Sequence, residues 1–275
     1  MEAQNVEVSN GNATLHVSTW GTTGPTLLAL HPGVGDSRIW NSCAPGWVAA
    51  GYRVVAYDRR GFGWTHSSPE PHDDADDLLA VMSATATDTA VVIGNSRGGG
   101  IAIDLALTSP ERVAALVLIA PSLSGYDQSD WPTAAAEDEQ DMLLIAAEKA
   151  EDLELLNRLE TRYWLDGVEQ PEGRVSGEPR ELFLDMNERA LHAAPIGDSS
   201  QRTPAWPMLS HIDVPVLVVA GEFDLPGIRK QCSETAAAIP LSEHVEIPGS
   251  AHCPSLDQPG LLSETVLTFL SRLPR

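Results

Sequence analysis

The chain has 275 residues, enough for one large domain with a full core or for a core domain carrying an insertion. Apolar residues make up 43% and charged residues 20%, the composition of a folded globule and not of a disordered segment. A formal charge of -22 argues against nucleic acid or an anionic membrane as partner, since each needs a basic footprint, and favours an uncharged ligand at long range.

Taken in chain order, strand-like apolar runs recur at 14–19, 26–30, 53–57, 89–93 and 114–120, with the first pair resting on the alternation of Val6, Val8, Leu15 and Val17. Helical patterns at 74–83 and 98–108 separate the later runs, and Pro110 closes the second of them. Continuous runs of Val, Ile and Leu alternating with helices predict an α/β fold, a mostly parallel sheet covered on both faces. The alternation then stops. Residues 134–159 read as one or two helices with an apolar stripe at Leu143, Leu144, Ala147, Ala150, Leu153 and Leu156, and a further helix is predicted near 180–193. Strand and helix patterns resume at 214–220, 228–238, 244–247 and 261–273.

Candidate chemistry gathers where ligands of open parallel sheets bind, just past the carboxyl ends of strands. Gly94-Asn95-Ser96-Arg97-Gly98 follows one strand and opens a helix, a position where backbone N–H groups favour negative charge and flanking glycines permit a sharp turn. Ser96 is the candidate nucleophile. A serine hydroxyl needs a base, and a histidine base needs a carboxylate to fix its tautomer. Asp224 and His252 both stand just past predicted strands, in the order Ser96, Asp224, His252.

With these residues in place, the chain resembles the compact, single-chain esterases and lactonases of the α/β-hydrolase superfamily over nearly its whole length. The resemblance implies an eight-stranded, mostly parallel sheet with helices on both faces, a core domain formed by residues 1–121 and 213–275, and a helical cap at 122–212. It implies Ser96, Asp224 and His252 as the catalytic residues. In that family a His-Gly loop after the third strand helps form the oxyanion hole. Here His31-Pro32-Gly33-Val34-Gly35 matches it with proline replacing the usual glycine, so the backbone N–H groups of Val34 and Arg97 are the expected donors. Asp58-Arg59-Arg60-Gly61-Phe62-Gly63 matches the family's Asp-x-Arg-Gly-x-Gly turn and is read as structural. Ala251-His252-Cys253-Pro254 matches the histidine loop but lacks the aromatic that commonly follows the histidine.

Other features have simpler readings. His31 is read as a core histidine bonded to backbone, and Asp58 is the runner-up carboxylate. The Arg97 side chain is expected to pair with a carboxylate. The aspartates at 73, 74, 76 and 77 suit a helix start without calcium. The remaining histidines form no ligand spacing, so no metal and no cofactor is expected. Cys43, Cys232 and Cys253 are scattered, without C-x-x-C spacing, which points to a reducing compartment. The start Met1-Glu2-Ala3-Gln4-Asn5 shows no signal-peptide pattern, and no apolar stretch has membrane length, so a cytoplasmic protein with no membrane partner is expected.

The function these expectations add up to is hydrolysis of a carboxylic ester of a small, uncharged substrate through an acyl-enzyme. Lactone, enol-lactone or carbon–carbon bond hydrolysis is the alternative, the last suggested by the Gly-Asn-Ser form of the elbow, and a non-catalytic small-molecule receptor is the opposing class. Should Asp224 not be the acid, Asp127 in the loop after Ala120 is the next candidate. An anionic substrate would call on a cap arginine among Arg158, Arg162, Arg174, Arg180 and Arg189. Epoxide hydrolysis and dehalogenation are disfavoured, because their family versions carry a carboxylate where this chain has Ser96.

Overall fold

The chain opens on an antiparallel pair, β1 (Gln4–Asn10) and β2 (Ala13–Trp20), joined through Gly11 at φ 58°. The core continues with β3 (Thr26–Leu30), a 3-10 turn at Ser37–Trp40, α1 (Ala44–Ala49), β4 (Arg53–Tyr57), the short β5 (His66–Ser67), α2 (Asp74–Ala84), β6 (Ala90–Asn95), α3 (Arg97–Thr108) and β7 (Val113–Ile119). Between β7 and β8 the elements among the described residues are α4 (Glu137–Lys149), α5 (Leu153–Glu160), a π-helical turn at Thr161–Asp166, α6 (Glu178–Leu191) and a 3-10 turn at Trp206–His211, with an isolated bridge from Ser199 to His72. The core then closes with β8 (Val216–Gly221), α7 (Pro226–Ala238), β9 (Ser242–Ile247), α8 (Pro254–Asp257) and α9 (Pro259–Ser271). This computed structural model describes residues 2–200 and 204–273. Met1 of the predicted leaderless start and residues 201–203 of the predicted cap lie outside the described residues.

The strands form one sheet in the order β1-β2-β4-β3-β6-β7-β8-β9. β2 pairs antiparallel with β1 and β4, and every later neighbour pairs parallel. The sheet therefore has the expected eight strands along its path, and the two-residue β5 pairs with β2 at its margin. Parallel registers level the strand ends: Leu30 lies opposite Gly94, Asn95 opposite Ile119, Ile119 opposite Val219 and Gly221 opposite Ile247. Loops after β3, β6, β8 and β9 consequently leave from one edge.

Side chains alternate between two buried cores. Leu28, Leu30, Val55, Val92, Leu116, Leu118 and Val218 face one side with Leu78 of α2, Ile101 of α3 and Ile228 of α7. Leu27, Ala29, Val54, Ile93, Val117, Leu217 and Val219 face the other, against Trp47 of α1 and Leu262, Val266 and Phe269 of α9. Burying each such side chain contributes about 1.5–3 kcal/mol, which is why the interiors of these strands are apolar on both faces and the polar Thr26, Arg53 and Asn95 stand at strand ends. The inserted helical subdomain joins both cores: Tyr163 packs into the first, and Leu165, Phe183 and Met186 pack into the second. It is seated on the carboxyl edge of the sheet.

α2 begins as its aspartates predict. Asp73 caps it by accepting the Ala75 N–H at 2.7 Å, and Asp77 pairs with Arg60 at 2.7 Å.

Candidate active site

Ser96 joins β6 to α3 with φ 52° and ψ -115°, a backbone state that costs a non-glycine residue of the order of 1–3 kcal/mol. Three neighbours hold it there. Its N–H donates to Ile119 O at 2.8 Å, its carbonyl accepts the Ser122 N–H at 2.8 Å, and the Gly100 N–H closes the first helical turn on the same carbonyl at 3.1 Å. The flanking glycines are required by close approach. A Cβ on Gly94 would stand 2.4 Å from Gly98 O, and one on Gly98 would stand 2.4 Å from Leu30 O. The second contact brings the start of α3 against the end of β3. Arg97 is the first residue of α3, where a helix leaves its N–H groups unbonded. Its side chain turns away and donates to Asp74 at 2.6 Å, the carboxylate partner expected of it.

Asp224 follows β8 and His252 follows β9. His252 Nδ1 lies 2.9 Å from Asp224 Oδ2, and both side chains are buried. The other Asp224 oxygen accepts the Leu225 N–H at 2.9 Å, which fixes the carboxylate plane. The strand-end positions read from the sequence are thus brought together by the fold. Asp127 is not. It is fully exposed and accepts the Ser129 N–H in its own turn, which removes it as a second candidate acid.

Asn95, which the sequence offers only as part of the Gly-Asn-Ser elbow, is fully buried, and its amide donates to Ile119 O at 3.1 Å and to His252 O at 3.2 Å, tying the end of β6 to the histidine loop. The cap supplies the rest of the histidine's surroundings: the His252 N–H donates to Trp164 O at 3.1 Å, and the two rings lie 4.7 Å apart. Trp164 is the aromatic that lies against the histidine. Trp40 and Phe183 are buried in the second core.

His31 is buried and bonded to backbone, with Nε2 accepting the Arg59 N–H at 3.0 Å and Nδ1 donating to Pro32 O at 2.7 Å. Burial and the adjacent Arg59 hold it well below the usual histidine range, so it is neutral at pH 7. Asp58 is also occupied. Its oxygens accept the N–H groups of Ser37 at 2.8 Å and Trp64 at 2.9 Å, and burial raises its pKa. Both therefore shape the loop that carries Val34.

All three cysteines are buried and free; burial pushes the Cys43 thiol up to about 12 and Cys253 well above its ordinary value. Among the described residues no group of histidine, cysteine and carboxylate side chains has metal-binding geometry, and no helix is long and apolar enough to cross a membrane. Of the five cap arginines named above, four meet carboxylates of the chain itself: Arg158 with Glu154, Arg174 with Asp257, Arg180 with Asp166 and Arg189 with Asp185. The Nε of the fifth, Arg162, is buried without a hydrogen-bond partner among the described residues.

A parallel sheet with a strained strand–turn–helix serine and a buried Asp–His pair at its carboxyl edge defines one class of enzyme-like architecture. A family model described as alpha/beta hydrolase fold matches residues 25–259, and the chain belongs to that family. A 2-hydroxy-6-oxononadienedioate/2-hydroxy-6-oxononatrienedioate hydrolase of Paraburkholderia xenovorans is 33% identical over 132 residues, 45% of this chain and 45% of the relative. That match spans less than half of the relative's length. A hydrolase of the same name in Klebsiella pneumoniae is 25% identical over 281 residues, 98% of this chain and 94% of the relative. A thermophilic esterase from Thermogutta terrifontis shares the fold with a TM-score of 0.77 at 23% identity, across 98% of this chain and 99% of that one.

Proposed function

We propose that this chain is a serine hydrolase of small organic carbonyl compounds, with Ser96 as nucleophile, His252 as general base and acid, and Asp224 as the carboxylate that orients it. The observation that carries the reading is the buried 2.9 Å contact between His252 Nδ1 and Asp224 Oδ2. A carboxylate can only accept, so Nδ1 holds the proton and Nε2 of the neutral ring is the acceptor. That tautomer is the one a serine nucleophile requires.

In this reading Ser96 Oγ bonds to the substrate's carbonyl carbon as His252 Nε2 takes the hydroxyl proton. The resulting oxyanion accepts hydrogen bonds from the N–H groups of Val34 and Arg97, each worth about 3 kcal/mol to the transition state. Collapse breaks the bond from the carbonyl carbon to the leaving group, which receives the proton from His252, and the acyl group stays on Ser96. Water then adds to the acyl carbon as His252 removes its proton, and Ser96 departs with that proton as the acid is released.

An oxygen leaving atom takes the electron pair of the broken bond itself; a carbon leaving atom needs a conjugated ketone in the substrate that takes up the pair as an enolate, which His252 then protonates. The sequence favours an open-chain ester. The hydrolase that aligns over 98% of this chain is named for an oxo-dioate that bears no ester, which supports a carbon–carbon bond ahead of that first reading, with a lactone as the other alternative. On charge the support runs the other way from that relative, whose named substrate is a dioate: Arg174, Arg180 and Arg189 are engaged by the chain's own carboxylates, which supports a neutral substrate. The test is a panel of p-nitrophenyl esters, homoserine and enol lactones, and a dienoic meta-cleavage ketone, each run on the wild type and on Ser96→Ala. Turnover of a lactone or the ketone that is lost in Ser96→Ala supports the proposal. Turnover of simple esters alone returns the bond class to the ester, and undiminished activity in Ser96→Ala removes the nucleophile.

A further inference from the structure

Arg174 lies in the loop between the π-helical turn and α6, outside the residues that touch the reacting atoms. Its guanidinium nevertheless meets three separate parts of the site. Nε donates to Asp166 O at 2.7 Å and Nη2 to Leu165 O at 2.6 Å, both in the cap turn that carries Trp164. Nη1 donates to Gly249 O at 2.6 Å, three residues before His252. Its face lies 5.3 Å from the ring of Phe223, the residue before Asp224. Nη2 also donates to Asp257 at 2.8 Å.

Asp257 carries the contact onward. Its side chain is fully buried and accepts the Ser250 hydroxyl and the Ala251 N–H, each at 2.7 Å. Those two residues immediately precede His252. A buried carboxylate in this position needs a cation beside it, and removing that cation leaves an uncompensated charge under the histidine loop. The cap meets the same loop directly through the Trp164 carbonyl and ring. Cap turn and base loop therefore share one planar donor fork whose face lies over Phe223 of the acid turn, a geometry that lysine cannot reproduce.

We infer that Arg174, acting through Asp257, is a positioning residue that couples the seating of the cap to the orientation of His252 against Asp224. The inference rests on the reading of His252 as the general base. Arg180 supplies the contrast. It pairs with Asp166 of the same cap turn at 2.7 Å, and its other hydrogen bond goes to Val175 O, away from the histidine loop. A role confined to cap stability predicts the same phenotype for both arginines, and a role in seating the base predicts different ones.

The experiment compares wild type, Arg174→Met, Arg174→Lys and Arg180→Met by two readouts. One is the low-field proton resonance of His252 Nδ1–H in the full chain, which needs no substrate and no reactive serine. The other is the rate of labelling by a fluorophosphonate. Arg174→Met should broaden or shift the resonance and slow labelling by about 10- to 100-fold, the scale of a misplaced catalytic group. Arg174→Lys should recover only part of this, added guanidinium should recover more, and Arg180→Met should stay near wild type. An unchanged resonance in Arg174→Met overturns the inference, as does equal loss in Arg180→Met. A wild type that shows the resonance but never labels removes the serine mechanism and leaves the resonance comparison to decide the role of Arg174. Should Arg174→Met fail to fold, Asp257→Asn tests the same link, with a shifted resonance expected and an unchanged one contradicting it.

Discussion

His252 Nδ1 and Asp224 Oδ2 lie 2.9 Å apart with side chains 4% and 2% exposed, so little water reaches the pair. Exchange of Asp224 for asparagine preserves shape but lets the amide donate to Nδ1, which favours the tautomer with the proton on the wrong nitrogen. Asp224→Asn should lower turnover by roughly 10⁴-fold at neutral pH. Steady-state kinetics check this, and a loss below tenfold contradicts the assignment, because the exposed Asp127 offers no substitute.

Two glycine substitutions should have opposite signs. A Cβ on Gly98 would stand 2.4 Å from the Leu30 carbonyl, a backbone atom that cannot give way, whereas Gly46 in α1 has open space around it. Gly98→Ala should lower the melting temperature by several degrees and abolish labelling of Ser96, at a cost of about 1–3 kcal/mol or more. Gly46→Ala should be stabilising by about 0.5–1 kcal/mol through helix propensity. Thermal unfolding of the two variants decides, and a fully stable, reactive Gly98→Ala contradicts the described packing of the elbow.

Much of this architecture is legible in the sequence because its strands are buried on both faces. The runs at 26–30 and 53–57 coincide with β3 and β4 residue for residue, because each is apolar after its first residue. The helix of Ala44–Ala49 goes unread because Pro45 and Gly46 occupy its first turn and it is only six residues long. The π-helical turn at Thr161–Asp166 follows α5 with no punctuating residue, so its change of period leaves no signal. At the site, Ser96, Asp224 and His252 announce themselves by their strand-end placement. Arg174 does not: it appears as one of several cap arginines suited to an anionic substrate, and its carboxylate partner stands 83 positions away. Asp257 could have been noticed as the acid that ends the short, proline-opened helix just after the histidine.

The buried His31 gives stability a dependence on pH. Its folded-state pKa is depressed below the ordinary 6.5, so the unfolded chain binds the proton first as pH falls. The stabilisation is complete above the unfolded value and is lost as pH drops below 6.5 toward the folded one, at no more than about 1.4 kcal/mol per pH unit. His31→Gln keeps an acceptor for the Arg59 N–H without titrating. Denaturant unfolding from pH 7.5 to 5 should show a shallower decline for this variant than for the wild type, and parallel curves contradict the account.

Substrate charge is tested through ionic strength. With a formal charge of -22, the chain repels anions at long range. A neutral ester or lactone should have a higher kcat/KM than its dianionic analogue at low salt, with the gap narrowing as salt screens the field. Faster turnover of the dianion would show that a local cation, with Arg162 the first to examine, overrides the field.

The central claim is that Ser96 is the nucleophile, and peptide mass spectrometry after fluorophosphonate treatment tests it most directly. The account predicts a single adduct on the Ser96 peptide, prevented by prior occupation with substrate and absent in Ser96→Ala, whose turnover falls by several orders of magnitude with its fold intact. An adduct on another residue, or a Ser96→Ala protein that turns over substrate at the wild-type rate, would contradict it.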